Sequence, residues 1–393
     1  MADRPIRVLL LRGHNAAPWN LRMWEELPDR FQVSVLLTSR NAYDLGDVSV
    51  KPHGARSLRN LLPRGRLGDF AMGLTGDRYL GADEAFAQAD IVHSEELAYW
   101  HSGDAARRKR TNGFKLVLTV WETLPLLSIF RNHWARVYRE QTLAETDLLL
   151  PTTERARSAL LLEGVTAERI KVCYPGVDVS RFSAAGRPAA APAEHVILSP
   201  GRLVWEKGHQ DVIRALAALR RGLVDADVPR LLIVGSGPEE RRLRRYASEL
   251  GVEDRVEFRS VPYDEMPSLY GRASCMVLAS LSTAGCYRYL GDLPRCFWEE
   301  QFGMVLAEAM AARLRIVASN SGAIPEVTKE ACTLVEPGDW LGLARALSEE
   351  VLTRPPGSRV DYDRALIDGY SLGAAAERLA AAYDAVLAGP QAS

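Results

Sequence analysis

Cysteine is scarce in this 393-residue chain, and its five copies (Cys173, Cys275, Cys286, Cys296, Cys332) form an odd, scattered set without paired metal-ligand spacing. That excludes a disulfide-built scaffold or a zinc module and makes a reduced compartment the expectation. Cys286 and Cys296 are near enough in sequence for a loop disulfide, although no other feature supports one. Long apolar runs are missing as well. No stretch reaches the ~20 residues a membrane-spanning helix needs, and no signal peptide precedes the first apolar run. A cytoplasmic protein is expected, with peripheral attachment at the inner membrane face left open. Excess charge of one sign is also absent: 49 basic against 50 acidic residues leave a net charge of −1. No global field therefore draws the chain to nucleic acid. What remains is 47% hydrophobic and 25% charged residues, the composition of a soluble globular enzyme, in a length that suits two domains.

Short β-rich runs alternate with helical ones along nearly the whole chain. Ile6–Leu11, Gln32–Thr38, Asp90–His93, Lys115–Val120, Asp147–Leu150 and Ile170–Tyr174 read as buried parallel strands. A second set follows at His195–Ser199, Arg230–Val234, Arg255–Arg259, Cys275–Ala279, Arg315–Ala318 and Thr333–Val335. The small residues and prolines of Ser183–Glu194 mark a linker between them. The pattern predicts two doubly wound α/β domains, residues 1–186 and 187–370. A helical Ala- and Leu-rich tail, 371–393, is expected to pack back toward the first domain. Ligands of such sheets sit at the carboxyl ends of the strands, so the cleft between the domains is the expected site.

The motif with most chemical content is Glu300-Gln-Phe-Gly-Met-Val-Leu-Ala-Glu308. Eight helical steps would put its two glutamates ~12 Å apart on different faces. Gly303 suggests another layout, with Glu300 in a loop and Phe302–Arg313 forming a helix that carries Glu308. A loop entering a helix offers free N–H groups and a positive dipole end to a phosphate, while flanking carboxylates hold neutral sugar hydroxyls. Ordinary dipole compensation by a first-turn glutamate is the plain alternative. Gly201-Arg202 to Lys207-Gly208 follows a strand and pairs a forked guanidinium with a mobile ammonium, suited to two phosphates; a solvated basic loop is its alternative. Gly235 and Gly237 make a glycine turn after another strand, for close approach or simply for the turn. Ser319–Glu326 either lines the site or caps a helix.

Taken in order, these segments resemble the retaining family-4 glycosyltransferases of the GT-B fold. The match runs through Tyr174-Pro-Gly-Val-Asp178, Pro200-Gly201-Arg202 to Lys207-Gly208, Val234–Pro238, Glu300 to Glu308, Val317–Glu326 and Leu334–Asp339. The resemblance implies an α/β GT-B architecture, two Rossmann-like domains facing across a cleft. It further implies that Arg202 and Lys207 neutralise a donor diphosphate as leaving group, with Gly201 and Gly235 in the surrounding turns. Glu300 would hold donor-sugar hydroxyls and Glu308 the ribose. Main-chain N–H groups at Phe302, Gly303, Met304 and Val305 would touch sugar and phosphate, and Val261 would flank the base. Glu300 then positions rather than attacks.

The first half carries fewer signals. Gly13, in the loop after the first strand, faces the donor sugar in this reading, with His14 and Asn15 on the acceptor side. Trp121-Glu122 stands where many relatives carry a histidine, so Trp121 or Glu122 either replaces that contact or caps and packs. His93 and Glu95 are weaker candidates. Lys51–Arg66 interleaves arginine and leucine, as an acceptor loop or a segment lying on an anionic membrane. Arg107–Arg110 reads as a solvated helix end. The connection 280–298 is unusually long and suggests a lid or a specificity element. The acid pairs Asp225/Asp227 and Asp361/Asp363 lie outside the motifs, and basic side chains already fill a metal's electrostatic role, so no metal and no cofactor are expected.

The expected function is metal-independent, retaining transfer of a sugar from a nucleoside diphosphate, UDP ahead of GDP, to a hydroxyl-bearing acceptor. The alternative is a non-catalytic nucleotide-sugar-binding or scaffolding subunit.

Overall fold

A computed structural model describes residues 4–39, 41–46, 48–63, 65–127, 133–185, 192–282, 298–329 and 331–389. Cys286, Cys296 and most of the 280–298 connection lie outside these residues. The chain divides into two units, Met1–Gly176 with Leu372–Ser393, and Val177–Ser371.

The first unit holds β1 (Ile6–Gly13), β2 (Phe31–Thr38), β3 (Lys51–Ser57), β4 (Tyr79–Leu80), β5 (Ile91–Glu95), β6 (Lys115–Val120) and β7 (Leu148–Pro151). They form a seven-stranded sheet in the order β4-β3-β2-β1-β5-β6-β7. Every pair is parallel except β3 with β4. Helices cover both faces, which explains why the central strands are apolar throughout rather than alternating. Val8, Leu10, Ile91 and Val117 pack on one side with Trp24 and Tyr383, while Leu9, Leu11, Val92 and Leu116 pack on the other with Phe86 and Phe114. The last helix, Leu372–Ala388, gives the first of these layers Ala376, Leu379, Ala380 and Tyr383. Its Tyr383 hydroxyl accepts from Trp24 Nε1 at 3.0 Å.

The second unit is a six-stranded parallel sheet ordered β10-β9-β8-β11-β12-β13. Its strands are β8 (Val196–Pro200), β9 (Arg230–Val234), β10 (Val256–Arg259), β11 (Cys275–Leu278), β12 (Arg315–Ser319) and β13 (Thr333–Val335). Ile197, Ile213, Leu216, Ile233, Val277 and Val317 centre its core. In each sheet the strand order reverses beside the first strand: β1 lies between β2 and β5, and β8 between β9 and β11. The carboxyl ends of those strands are where doubly wound sheets take ligands.

Several expectations need correction. Ile170–Tyr174 is not a strand; Ile170 makes one isolated bridge to Leu149, and Lys171 and Cys173 donate to the carbonyls of Leu149 and Pro151 as extended chain. Pro175, lacking an N–H, prevents the ladder from continuing. Lys51–Ser57, read as an acceptor loop or membrane segment, is β3, and β4 was not foreseen. Of β3 only Ala55 and Ser57 are buried, so apolar patterning gives it no signal. The helix expected over Phe302–Arg313 runs from Met304 to Ala311. The division between the units falls at Gly176–Val177, ahead of the linker expected near 187. Phe182 goes with the second unit: it packs edge-on against Tyr263 and Tyr270 there. Arg108 to Arg110 are paired rather than merely solvated, with Arg108 on Asp104 and Asp83, Lys109 on Asp147, and Arg110 on Glu145.

Candidate functional site

The chain leaves β8 at Pro200 and turns through Gly201 into a short loop ending at Gly208. Gly208 has φ +68°, and a β-carbon there would stand 1.8 Å from the Ala279 carbonyl oxygen. Only glycine lets this loop press against the chain leaving β11. Gly235 serves the same loop: a β-carbon would meet the Gly201 carbonyl oxygen at 1.9 Å. The glycine turn after β9 therefore packs on the Gly201 loop. Arg202, within that loop, is exposed, and no ion pair involves it among the described residues. Lys207 turns inward instead.

Lys207 Nζ lies 2.9 and 2.7 Å from the two carboxylate oxygens of Glu300. The ammonium also sits 5.3 Å from the centre of the Trp298 ring. Glu300 is in a loop, as the motif suggested, and is nearly fully buried at 4% exposure. Ser280 Oγ donates to Glu300 Oε2 at 2.5 Å. The Glu300 main chain is gripped too, donating to Ser321 Oγ at 3.1 Å and accepting from Ala323 N at 2.8 Å. Gly322, with φ +54°, passes under it where a β-carbon would be 2.0 Å from the Glu300 oxygen. This close packing is what the Ser319–Glu326 turn does: it fixes the backbone of Glu300.

Gly303, at φ +78°, opens the helix Met304–Ala311, whose first turn has neither a side-chain cap nor an acidic residue. Its positive end, at half-buried Met304 and Val305, is uncompensated. Phe302 is buried edge-on against Tyr370, 5.6 Å between centres. One turn on, Glu308 is buried with both oxygens engaged: Tyr263 donates to Oε1 at 2.9 Å and Tyr270 to Oε2 at 2.8 Å. Burial raises the Glu308 pKa, and the two tyrosine hydrogen bonds oppose that. Val261 is half-buried just past β10. The second unit thus gathers Arg202, Lys207, Glu300 and the Met304 helix end at the carboxyl ends of β8 and β11.

Four positioning residues escaped the sequence reading. Ser280 falls in a connection without a motif, and no motif marks Tyr263 or Tyr270. His209, one residue past Gly208, could have been noticed. It is buried, joins Ser199 Oγ at 2.8 Å to the Arg202 carbonyl at 3.2 Å, and desolvation lowers its pKa to about 4. A neutral imidazole therefore holds the Arg202 loop.

In the first unit, Gly13 ends β1 at φ +54°, donates to Tyr79 OH at 3.1 Å, and leaves no room for a β-carbon beside His101. His14 hydrogen-bonds Thr38 Oγ1 through Nδ1, and its Nε2 stands 3.8 Å from Asp77. Asn15 is exposed. His93 is buried between Tyr383 and Thr119, and burial lowers its pKa well below the ordinary value, so it is a neutral core residue. Glu122 Oε1 accepts from the N–H groups of Thr123 and Leu124, tying its own turn. The main-chain N–H groups of Trp121 and Glu122 both donate to Glu96. Glu96 is half-buried, and desolvation together with the neighbouring Glu122 charge raises its pKa to about 8. Asp361 pairs with Arg313, and Asp363 caps the helix Arg364–Asp368.

Two family profiles match in tandem: Glycosyltransferase Family 4 over residues 20–181 and Glycosyl transferases group 1 over residues 185–364. Among curated proteins, the D-inositol 3-phosphate glycosyltransferase of Nocardia farcinica is 30% identical over 268 residues, 63% of this chain and 54% of its own. A GDP-mannose-dependent alpha-(1-6)-phosphatidylinositol monomannoside mannosyltransferase of Mycolicibacterium smegmatis is 33% identical over 167 residues, 40% of each chain. The chain thus spans about half the length, or less, of these relatives. Among solved structures, Anabaena HepE in complex with UDP and glucose superposes with TM-score 0.71 over 96% of this chain and 99% of that one, at 18% identity. Sucrose-phosphate synthase of Thermosynechococcus elongatus gives 0.70 over 98% and 100%, also at 18%. At such identities these two report the fold.

Proposed function

The chain belongs to the family-4 glycosyltransferases of the GT-B fold, and from that premise we propose that it moves a sugar from a nucleoside diphosphate to a hydroxyl-bearing acceptor with retention. The observation that carries this reading is the Lys207–Glu300 pair, set at the strand-order reversal of the second sheet beside an uncompensated helix end. A diphosphate entering there meets the exposed Arg202 guanidinium, the Met304 end of the helix and the Lys207 ammonium. Lys207 exchanges Glu300 for phosphate oxygen, and Glu300 exchanges Lys207 for donor-sugar hydroxyls. Each buried charge keeps a partner through the exchange, so neither is left desolvated and alone.

Glu308 retains a second lone pair on each oxygen, and the tyrosines fix the carboxylate while ribose hydroxyls donate to it. Bond cleavage puts negative charge on the leaving diphosphate. Arg202, Lys207 and the helix end are already aimed at that charge, which is electrostatic preorganisation rather than nucleophilic attack by a side chain. The departing phosphate takes the acceptor hydroxyl's proton on the same face, which preserves configuration. Gly13, His14, Asn15 and the Trp121–Glu122 turn are assigned to the sugar and acceptor side. Since cationic side chains supply the charge, turnover is proposed to be metal-independent, and UDP is the proposed nucleotide.

A thermal-shift panel of UDP, GDP, ADP and their sugar conjugates, with magnesium and with EDTA, tests this. A native-state ligand at a hundredfold excess over its Kd stabilises by about 2.7 kcal/mol. The expected result is a shift by UDP or UDP-sugar that survives EDTA, followed by release of free nucleotide on turnover. A shift by GDP alone replaces the nucleotide, and binding without any release favours a non-catalytic subunit.

A further inference from the structure

The helix Arg66–Thr75 in the first unit is built inside out. An ordinary surface helix turns its large apolar side chains toward the core. Here Leu67, Phe70 and Leu74 are 80%, 69% and 67% exposed, three of the four most exposed large apolar side chains among the described residues. Their spacings of three and four place them in one stripe. Leu61, at the end of the short preceding helix Leu58–Leu61, is 59% exposed as well.

Away from the stripe the helix is held through one buried glycine and through main chain. Gly68 is buried, and a β-carbon on it would stand 2.0 Å from the Pro63 carbonyl oxygen. The Gly73 carbonyl accepts from Trp134 Nε1 at 2.9 Å, and the Gly76 cap lies against Tyr138. The helix is thus held firmly from behind while its apolar side chains point to solvent.

Charge identifies what covers that stripe. By sequence, residues 51–78 hold six basic residues (Lys51, Arg56, Arg59, Arg64, Arg66, Arg78) against two acidic ones (Asp69, Asp77), in a chain of net charge −1. Lys51, Arg56, Arg66 and Arg78 are exposed. An apolar stripe on a helix that opens at one exposed cation, Arg66, and is followed just past its Gly76 cap by another, Arg78, fits the headgroup and acyl boundary of an anionic bilayer. A second copy of the chain fits worse, because pairing two such helices would bring like charges together.

We propose that Arg66–Thr75 is an in-plane lipid anchor that docks this protein on anionic membranes. Behind the helix lies a groove of about 530 Å³ lined by Met72, Gly73, Trp100, Trp134, Tyr138 and His14. Aromatic faces suit the apolar faces of sugar rings, so the groove takes the glycosyl headgroup of a lipid-borne acceptor; this part rests on the glycosyltransferase reading, and the docking itself does not.

The test is co-sedimentation of the full chain with vesicles of phosphatidylglycerol and phosphatidylcholine, and with phosphatidylcholine alone. Binding to the anionic vesicles is expected to weaken with added salt. The Leu67→Ser/Phe70→Ser/Leu74→Ser variant should lose at least tenfold in vesicle affinity. Arg56→Gln/Arg66→Gln/Arg78→Gln should lose a comparable amount and also lose the salt dependence. Since all six side chains are exposed, unchanged melting temperatures should confirm that both variants are folded. Equal vesicle binding by wild type and the apolar variant overturns the proposal. So does absence of vesicle binding with a wild-type dimer that the apolar variant converts to monomer. A protein that docks but never releases nucleotide leaves the anchor standing and removes only the assignment of the groove.

Discussion

Replacing Lys207 by alanine removes the counter-ion of a carboxylate that is 4% exposed, so its effect on folding has to be separated from its effect on the donor. Glu300 would keep the Ser280 hydrogen bond but lose both contacts to the ammonium. Breaking a buried pair from one side costs about 3–5 kcal/mol. In a unit of this size, about 2–4 °C of melting temperature per kcal/mol gives a drop on the order of 6–20 °C. Glu300→Gln alone should cost less, because the lysine side chain reaches solvent more easily than the glutamate and keeps the Trp298 ring beneath it. The double variant Lys207→Ala/Glu300→Gln strands no charge and should melt above Lys207→Ala. Nucleotide binding should behave differently. Loss of a charge-assisted hydrogen bond, worth about 1.5–3 kcal/mol, predicts roughly 10- to 150-fold weaker diphosphate affinity in both Lys207 variants. Thermal unfolding and nucleotide titration on the four proteins complete the cycle. If Lys207→Ala melts like wild type, the pair contributes nothing to the fold; if the double variant regains affinity, Lys207 does not hold the diphosphate.

Three further perturbations follow from the same geometry. Tyr270→Phe removes a buried donor from Glu308 and should destabilise by about 1.5–3 kcal/mol while weakening nucleotide more than free sugar; equal affinity for both by titration would detach Glu308 from the ribose. Gly208→Ala drives a methyl group into the Ala279 carbonyl at a positive φ and should cost more than 3 kcal/mol or abolish soluble expression, whereas a native melting curve would refute the loop geometry. Glu96 has its pKa raised to about 8 in the folded state, so between about 4.5 and 8 the native chain holds a proton that the unfolded chain has released. That group's contribution therefore falls as pH rises through this window and is level above it. Glu96→Gln keeps an oxygen for the Trp121 and Glu122 N–H groups, so it should gain on wild type steadily from pH 5 to pH 8; a constant difference in melting temperature would show that the carboxyl is not held protonated.

The sequence by itself determined the two doubly wound units, because a strand buried on both faces must be written as a continuous apolar run, and Val8–Leu11 or Leu116–Leu118 admit few other readings. It also placed Glu300 in a loop ahead of a helix, since Gly303 marks the break locally. It identified Arg202 and Lys207 as a pair of cations but not their different fates, one exposed and one turned onto Glu300. That outcome depends on Ala279 and Trp298, which approach only when β8 and β11 lie side by side. Strand β3 was hidden for the same reason. Its residues Lys51-Pro-His-Gly-Ala-Arg-Ser bury almost nothing, and pairing with β2, joined at its end by β4, makes them a strand. Nor does composition reveal that Gly68 of Arg66–Thr75 faces inward and its leucines outward. Periodicity fixes which residues share a face, but only the partners at Pro63, Trp134 and Tyr138 decide which face is covered.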